Sequence, residues 1–389
     1  MRRLLAVVLL MSVPALAADP APGTRFRVDP AALPAPHATP SAANPADIVP
    51  RPPGAALRVP AGWRASLFAE GLDHPRNLMV LPDGAVLVAE QHADKLTRLE
   101  DADGDGRAER RDTFATGLAG PFGLALHDGA VWVADTKAVW RMAWRPGLTR
   151  AEGRTRVTPE GALGDDRGHS TRSLAIAPDG RRLYVGIGSR GNVGVEAEPR
   201  ATVREFAPDG SGGRTFAAGL RNPVGIAFRP GSAELWTVVN ERDGLGDELV
   251  PDYLTRVVEG GFYGWPYSYI GSHPQPDLAA KAPDKVAAAR VPDLLFRSHS
   301  APLGLAFLGG DAYVGLHGSW NRSEPIGYFV ARVPFSGNRP VGHYEVFASG
   351  FMVSDHAVWG RPVGIAAASG RVLYIADDAG RTVWRIERE

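Results

Sequence analysis

Gly219-Leu-Arg-Asn-Pro-Val-Gly-Ile-Ala-Phe228 is a polar turn that runs straight into a short apolar strand. Five other stretches share its plan, beginning at Gly71, Gly117, Gly168, Ser298 and Trp359. Each leads through a turn such as Leu81-Pro-Asp-Gly84 or Ala177-Pro-Asp-Gly180 into a second strand. Between them lie alternating apolar runs and Gly, Pro, Asp and Asn clusters, with almost no helical periodicity. The aligned positions Asn77, Gly123, Ser173, Gly225, Gly304 and Gly364 are 46, 50, 52, 79 and 60 residues apart. A period close to that of a four-stranded blade, met six times, predicts an all-β, six-bladed β-propeller with four-stranded blades. The strand at 63–69 is expected to complete the last blade from the N-terminal side and close the ring. Two tandem β-sandwiches are the alternative, and six phased copies of one turn count against them. The long fourth interval, 241–297, reads as loop inserted on one face.

Composition narrows the class. The 389 residues carry 43 basic and 43 acidic side chains, so no global charge favours nucleic acid. There is no Cys, which excludes disulfides, a lipoprotein anchor and a c-type haem site. Residues 1–17 read as a secretory signal: Arg2 and Arg3, an apolar run at 4–11, and Ala15-Leu-Ala17 for cleavage. The apolar run is too short to span a bilayer, so a periplasmic or secreted protein without a membrane anchor is expected. Residues 18–54 contain ten Pro and read as an extended linker or surface strap. The folded domain is expected over 55–389.

In a propeller the inner strand of each blade lines a central channel, so the residues just before it meet at the mouth. Four places before the aligned position stand Asp73, Ala119, His169, Arg221, Ser300 and Gly360; three before stand His74, Gly120, Ser170, Asn222, Ala301 and Arg361. Small residues leave room and cations point into it, as a pocket for an anionic, planar or hydroxylated ligand requires. His169 is the candidate general base, since histidine titrates near neutrality; the plainer reading is a mouth residue bonded to a backbone carbonyl. Arg221 and Arg361 are either ligand-binding or structural. His317, in Gly315-Leu-His-Gly-Ser-Trp320, is a further mouth candidate or a loop residue.

Two loops carry other signals. Asp101, Asp103 and Asp105, Gly106 and Asp112 follow the spacing of an EF-hand calcium loop, the alternative being an acidic hairpin turn. In the insertion, Asp247 and Glu248 are candidate cation ligands. Tyr263, Trp265, Tyr267 and Tyr269 offer either a stacking wall for a sugar or aromatics packed on one another.

Taken together, Gly168-His169, Leu220-Arg-Asn-Pro-Val-Gly-Ile-Ala-Phe228, Gly246-Asp-Glu-Leu249, Tyr263-Gly-Trp-Pro266 and Tyr374-Ile-Ala-Asp377 resemble the soluble quinoprotein glucose/aldose dehydrogenases, nearest in character to their L-sorbosone dehydrogenase relatives. The resemblance runs from about Leu33 to the C-terminus. It implies pyrroloquinoline quinone (PQQ) and Ca2+ at the channel mouth, a small-molecule sugar substrate and an external electron acceptor. It implies His169 as the base, Arg221 and Asn222 beside the quinone, Arg361, His317 and Asp377 around the cofactor, and the glycine-rich loop at 242–246 as a source of calcium-binding carbonyls. His74 and Trp265 are the expected substrate contacts. Ser189, Val363 and Leu118 stand where those enzymes carry an Asp behind the base, a second cofactor Arg and a Gln. Two other readings of the propeller are a calcium-dependent lactone hydrolase and a non-catalytic binding propeller. A ring rich in His and Arg, with few acids, counts against the hydrolase.

Overall fold

The computed structural model describes residues 19–389, so the secretory signal lies outside the described residues. Six sheets follow one another around the chain. The inner strands are Pro75–Val80, Gly123–His127, Arg172–Ile176, Pro223–Phe228, Pro302–Leu308 and Pro362–Ala368, and they open blades 1 to 6 in order. Every one of the six begins in the repeated turn. Trp63–Glu70 pairs antiparallel with Thr382–Arg388, from Trp63 opposite Arg388 to Glu70 opposite Thr382, and closes the ring as blade 6's outer strand. Blade 5 departs from the four-strand rule: Arg25–Phe26 adds a fifth strand beyond Tyr344–Ala348.

The aligned position explains why the repeat uses small residues there. A Cβ on Gly304 would sit 2.0 Å from the Val363 carbonyl, and one on Gly123 would sit 2.7 Å from the Arg172 carbonyl. Inner strands of neighbouring blades touch at this point, and a side chain has no room. The two blades without glycine use side chains that bond across the gap instead. Asn77 Nδ2 donates to Phe122 O (2.9 Å) and Ser173 Oγ donates to Val224 O.

One residue earlier in four blades stand Phe122, Val224, Leu303 and Val363, which form a single buried apolar cluster. Val363 is therefore core, not a vacated cavity position. Leu118 is likewise buried, in the apolar layer between blades 1 and 2. In blade 3 the same slot holds Arg172, fully buried, whose guanidinium donates to the carbonyls of Leu163 (2.9 Å), Thr171 (3.0 Å) and His169 (3.1 Å).

The proline-rich segment crosses the mouth face. His37 N–H bonds Leu245 O (2.8 Å) of the blade 4 insertion. Asn44 N–H bonds Trp320 O (2.7 Å) of blade 5. Asp47–Ile48 pairs in parallel with Ala357–Val358 before blade 6. Leu33 and Val49 pack onto core clusters at either end. Among the described residues no helix is long and apolar enough to cross a membrane.

Candidate active site at the propeller mouth

A cavity of about 280 Å³ opens at the mouth. His169, Arg221 and Asn222 reach it from the turns before blades 3 and 4, Arg361 from the turn before blade 6, and His317 from the end of blade 5's second strand. The strap contributes Pro45 and Ala46 to its wall. His169, Arg221, Asn222 and Arg361, far apart in sequence, thus converge because each lies in the same turn of its own blade.

His169 is held by blade 3 alone. Its Nδ1 lies 2.8 Å from the Ser189 carbonyl and 3.1 Å from Ser189 Oγ, which itself donates to Gly191 O (2.7 Å). A carbonyl only accepts, so Nδ1 carries the proton and the lone pair is on Nε2. With Ser189 standing where an Asp was expected behind the base, the backbone carbonyl of Ser189 orients the ring. Burial, then the Arg221 charge, lower the imidazole pKa to about 4, which keeps the ring neutral at neutral pH. Gly188 permits this packing, since a Cβ there would lie 2.4 Å from Asn222 Oδ1 and 2.6 Å from His169 Cβ.

Arg221 is buried and fixed by oxygens: Nε to Asn192 O (3.1 Å), Nη1 to Glu241 O (2.7 Å) and Nη2 to Asn192 Oδ1 (2.9 Å). Its nearest carboxylate, Asp243, is 3.6 Å away. Asn222 Oδ1 is buried with no hydrogen-bond partner although Asn222 lines the cavity.

On the far side, the organising acid is Asp378, which the sequence reading missed in favour of its neighbour. Asp378 accepts from His317 Nε2 (2.9 Å), Arg76 Nη1 (2.6 Å) and Arg361 Nε (3.0 Å). Burial opposes its ionisation, but these three partners outweigh burial and hold the carboxyl far below the usual range. Asp377 faces the other way, accepting from Arg361 N–H and Gly380 N–H (both 2.8 Å) and Thr382 Oγ1 (3.0 Å). It fixes Arg361 through the backbone and does not line the cavity. Strand alternation separates the two acids: Asp377 is the last residue of its strand and Asp378 the first beyond it.

The expected substrate contacts are not brought together. His74 stacks on His92 at 3.8 Å between centroids and lies 3.8 Å from Asp378, outside the cavity wall. Trp265 is buried and donates Nε1–H to Asn192 O (3.0 Å), so it supports the loop that holds Arg221. Tyr263 and Tyr269 are buried in the same insertion, which packs its own aromatics.

The acids expected as cation ligands lie elsewhere than at the cavity. Asp247 accepts from Ser323 N–H (2.9 Å) and Ser323 Oγ, and Glu248 pairs with Arg322, so neither faces the cavity. In the acidic loop, Asp101, Asp103, Asp105 and Glu109 bring carboxylate oxygens within 4.8 Å of one another, and the loop is the one such group among the described residues. Asp112 is excluded because it already belongs to the strand Arg110–Ala115, where it lies 4.0 Å from Arg98. Glu109 closes the cluster instead. The cavity does hold acids that the sequence reading did not place there, from the blade 4 insertion. Asp243 pairs with His299 and Asp252 accepts from the N–H groups of Glu241 and Ala301, whereas Glu241 pairs with Arg242 through Oε2 and leaves a buried Oε1 without a hydrogen-bond partner. His299 Nδ1 faces Asp243 Oδ1 (3.1 Å) and Nε2 faces Gly246 O (3.0 Å). Burial opposes protonation of His299, but these acceptors prevail and raise its pKa.

The TrAA12-like family model matches residues 57–252 and 273–389, the propeller with only part of the insertion left out. The chain belongs to the TrAA12-like family. A family relative, the pyrroloquinoline quinone-dependent pyranose dehydrogenase of Coprinopsis cinerea, is 26% identical over 410 aligned positions covering 85% of this chain and 54% of that protein. The chain thus spans about half the length of this curated relative. The holo form of the PQQ domain of the Coprinopsis cinerea pyranose dehydrogenase superposes with a TM-score of 0.73 at 23% identity, over 87% of this chain and 98% of that one. A calcium structure of the Trichoderma reesei family AA12 enzyme gives 0.74 at 20% identity, over 86% and 97%. At such identities the two structures speak for the shared six-bladed fold.

Proposed function

We propose that this family member is a PQQ-dependent sugar dehydrogenase, secreted or periplasmic, that oxidises an aldose or a sugar aldehyde of the sorbosone kind and passes electrons to an external soluble acceptor. The observation that carries the reading is the neutral His169, its proton fixed on Nδ1 by Ser189 O and its Nε2 free, in a cavity shared with Arg221 and Arg361. Cationic donors gathered at one cavity, with the unpartnered Asn222 Oδ1 beside them, fit an anionic ligand that also carries polar ring groups. PQQ, when bound, supplies the two-electron acceptor. Arg361, braced by Asp378, would hold a carboxylate of PQQ, and Arg221 and Asn222 would face its quinone side; His317, kept neutral by burial with its Nε2–H spent on Asp378, lines that side without an N–H to offer a carboxylate. His169 Nε2 takes the proton of the sugar's anomeric hydroxyl. A negatively charged ligand next to Arg221 offsets the repulsion that depresses His169 and strengthens it as a base.

The acidic loop is proposed to bind Ca2+ through Asp101, Asp103, Asp105 and Glu109, stiffening the hairpin between blade 1's two outer strands.

The test is reconstitution of the purified chain with PQQ and Ca2+. A bound-quinone absorbance band and aldose-dependent dye reduction are expected. No quinone uptake at micromolar PQQ sinks the dehydrogenase reading, and uptake without dye reduction by any aldose leaves a binding propeller.

A further inference from the structure

Trp320 is 52% exposed, and the other large hydrophobic side chains exposed among the described residues are all aliphatic. Its neighbours in sequence are the reverse: Ser319, Asn321 and Arg322 are 1%, 6% and 4% exposed. An outward indole therefore stands on a backbone that is itself buried. The strap does much of the holding. Asn44 N–H donates to Trp320 O (2.7 Å), Asn44 Nδ2 to Ser323 O (2.9 Å), and Asn321 Nδ2 to Ser41 Oγ (3.0 Å) and Ala42 O (2.9 Å). Trp320 lines the cavity alongside Pro45 and Ala46 of the same strap.

A rigid, solvent-facing indole at the edge of a polar cavity has the properties of a sugar-stacking platform. It offers a flat apolar face to the C–H face of a ring, and little entropy is lost because the loop is already fixed. The cavity volume argues for this location too. About 280 Å³ lies at the low end for a small-molecule site, so a ligand with a second ring extends to the rim.

We propose that Trp320 is the platform on which a neutral aldopyranose stacks, and that the strap, through Asn44 and the wall at Pro45–Ala46, is part of the substrate site. The identity of the ring inside the cavity rests on the dehydrogenase reading; binding of a pyranose at Trp320 does not.

The test uses the full mature chain, with and without PQQ, and a panel of methyl aldopyranosides, whose blocked anomeric oxygen separates binding from oxidation. Saturation-transfer NMR is expected to show contact on one C–H face of the ring. Trp320→Ala is expected to weaken pyranoside binding about tenfold or more, and Trp320→Phe by less than about threefold. Ala46→Leu, which narrows the wall, is expected to weaken the bulkier pyranosides selectively. Circular dichroism melts should overlay wild type in all three, which separates lost binding from lost folding. The inference is overturned if wild type binds no pyranoside, if Trp320→Ala binds like wild type, or if Trp320→Phe loses as much binding as Trp320→Ala. Failure of wild type to take up PQQ or reduce dye strikes the dehydrogenase reading alone, since the pyranoside titration is read without either.

Discussion

His169 and its setting show how a single repeat position becomes a chemical group. Replacing it by Ala should lower dye reduction by about 10²–10⁴-fold while quinone absorbance is retained. Ser189→Ala should change the rate by no more than about threefold, because the carbonyl, not the hydroxyl, makes the shorter contact (2.8 against 3.1 Å). A larger effect from Ser189→Ala than from Gly188→Ala would refute this account of the tautomer. The lowered pKa also has a stability consequence. The folded value lies near 4 against an ordinary 6.5, so between those limits the unfolded chain binds the proton and the folded chain does not. The contribution is intact above pH 6.5 and is lost as pH falls toward 4. Urea midpoints at pH 7 and pH 4.5 should therefore show wild type losing stability on acidification relative to His169→Gln, which has no such proton. At this scale the sequence was readable where a residue repeats in register, as with His169, Arg221, Asn222 and Arg361. It was not readable at Asp377 and Asp378, since adjacent residues at a strand's end differ only in the face they present.

Among the elements, the inner strands are held by contacts too close for a side chain. Gly304→Ala would press a Cβ toward the Val363 carbonyl now 2.0 Å from that position. It should destabilise the fold by about 1–3 kcal/mol or more, measurable as a lower urea midpoint. A substitution at the exposed turn glycine Gly84, where only the positive φ opposes a side chain, should cost less. The acidic loop makes a separate prediction. Ca2+ should raise the thermal midpoint and EDTA should reverse it. Asp103→Ala should remove the shift, whereas Asp112→Ala should leave it, because Asp112 points to Arg98 and not to the cluster. The EF-hand spacing pointed to Asp112 as the closing acid, whereas the structure brings Glu109 to the cluster. A strand pairing that begins at Arg110 withdraws position 112, and only the sheet reveals that.

Across the whole molecule, ring closure and the strap separate two kinds of dependence on the N-terminal region. Trp63–Glu70 is an outer strand with Phe68 and Ala69 buried, so a chain beginning at Gly71 should fail to fold. A chain beginning at Ala55 keeps that strand and should fold with a lower melting temperature, having lost the fifth strand of blade 5 and the strap's packing. Circular dichroism melts of the two truncations separate these outcomes. Sequence alone determined the six blades and their phase, because a propeller repeats one local pattern and each copy reports its own geometry. The tertiary structure decided everything that depends on contacts between distant segments. It placed the cavity acids of the insertion, set Asp378 between blades 1, 5 and 6, turned Trp265 inward and left Trp320 outward beneath the strap. Such choices are made by which neighbour fills the space beside a residue, and no period in a single chain records that.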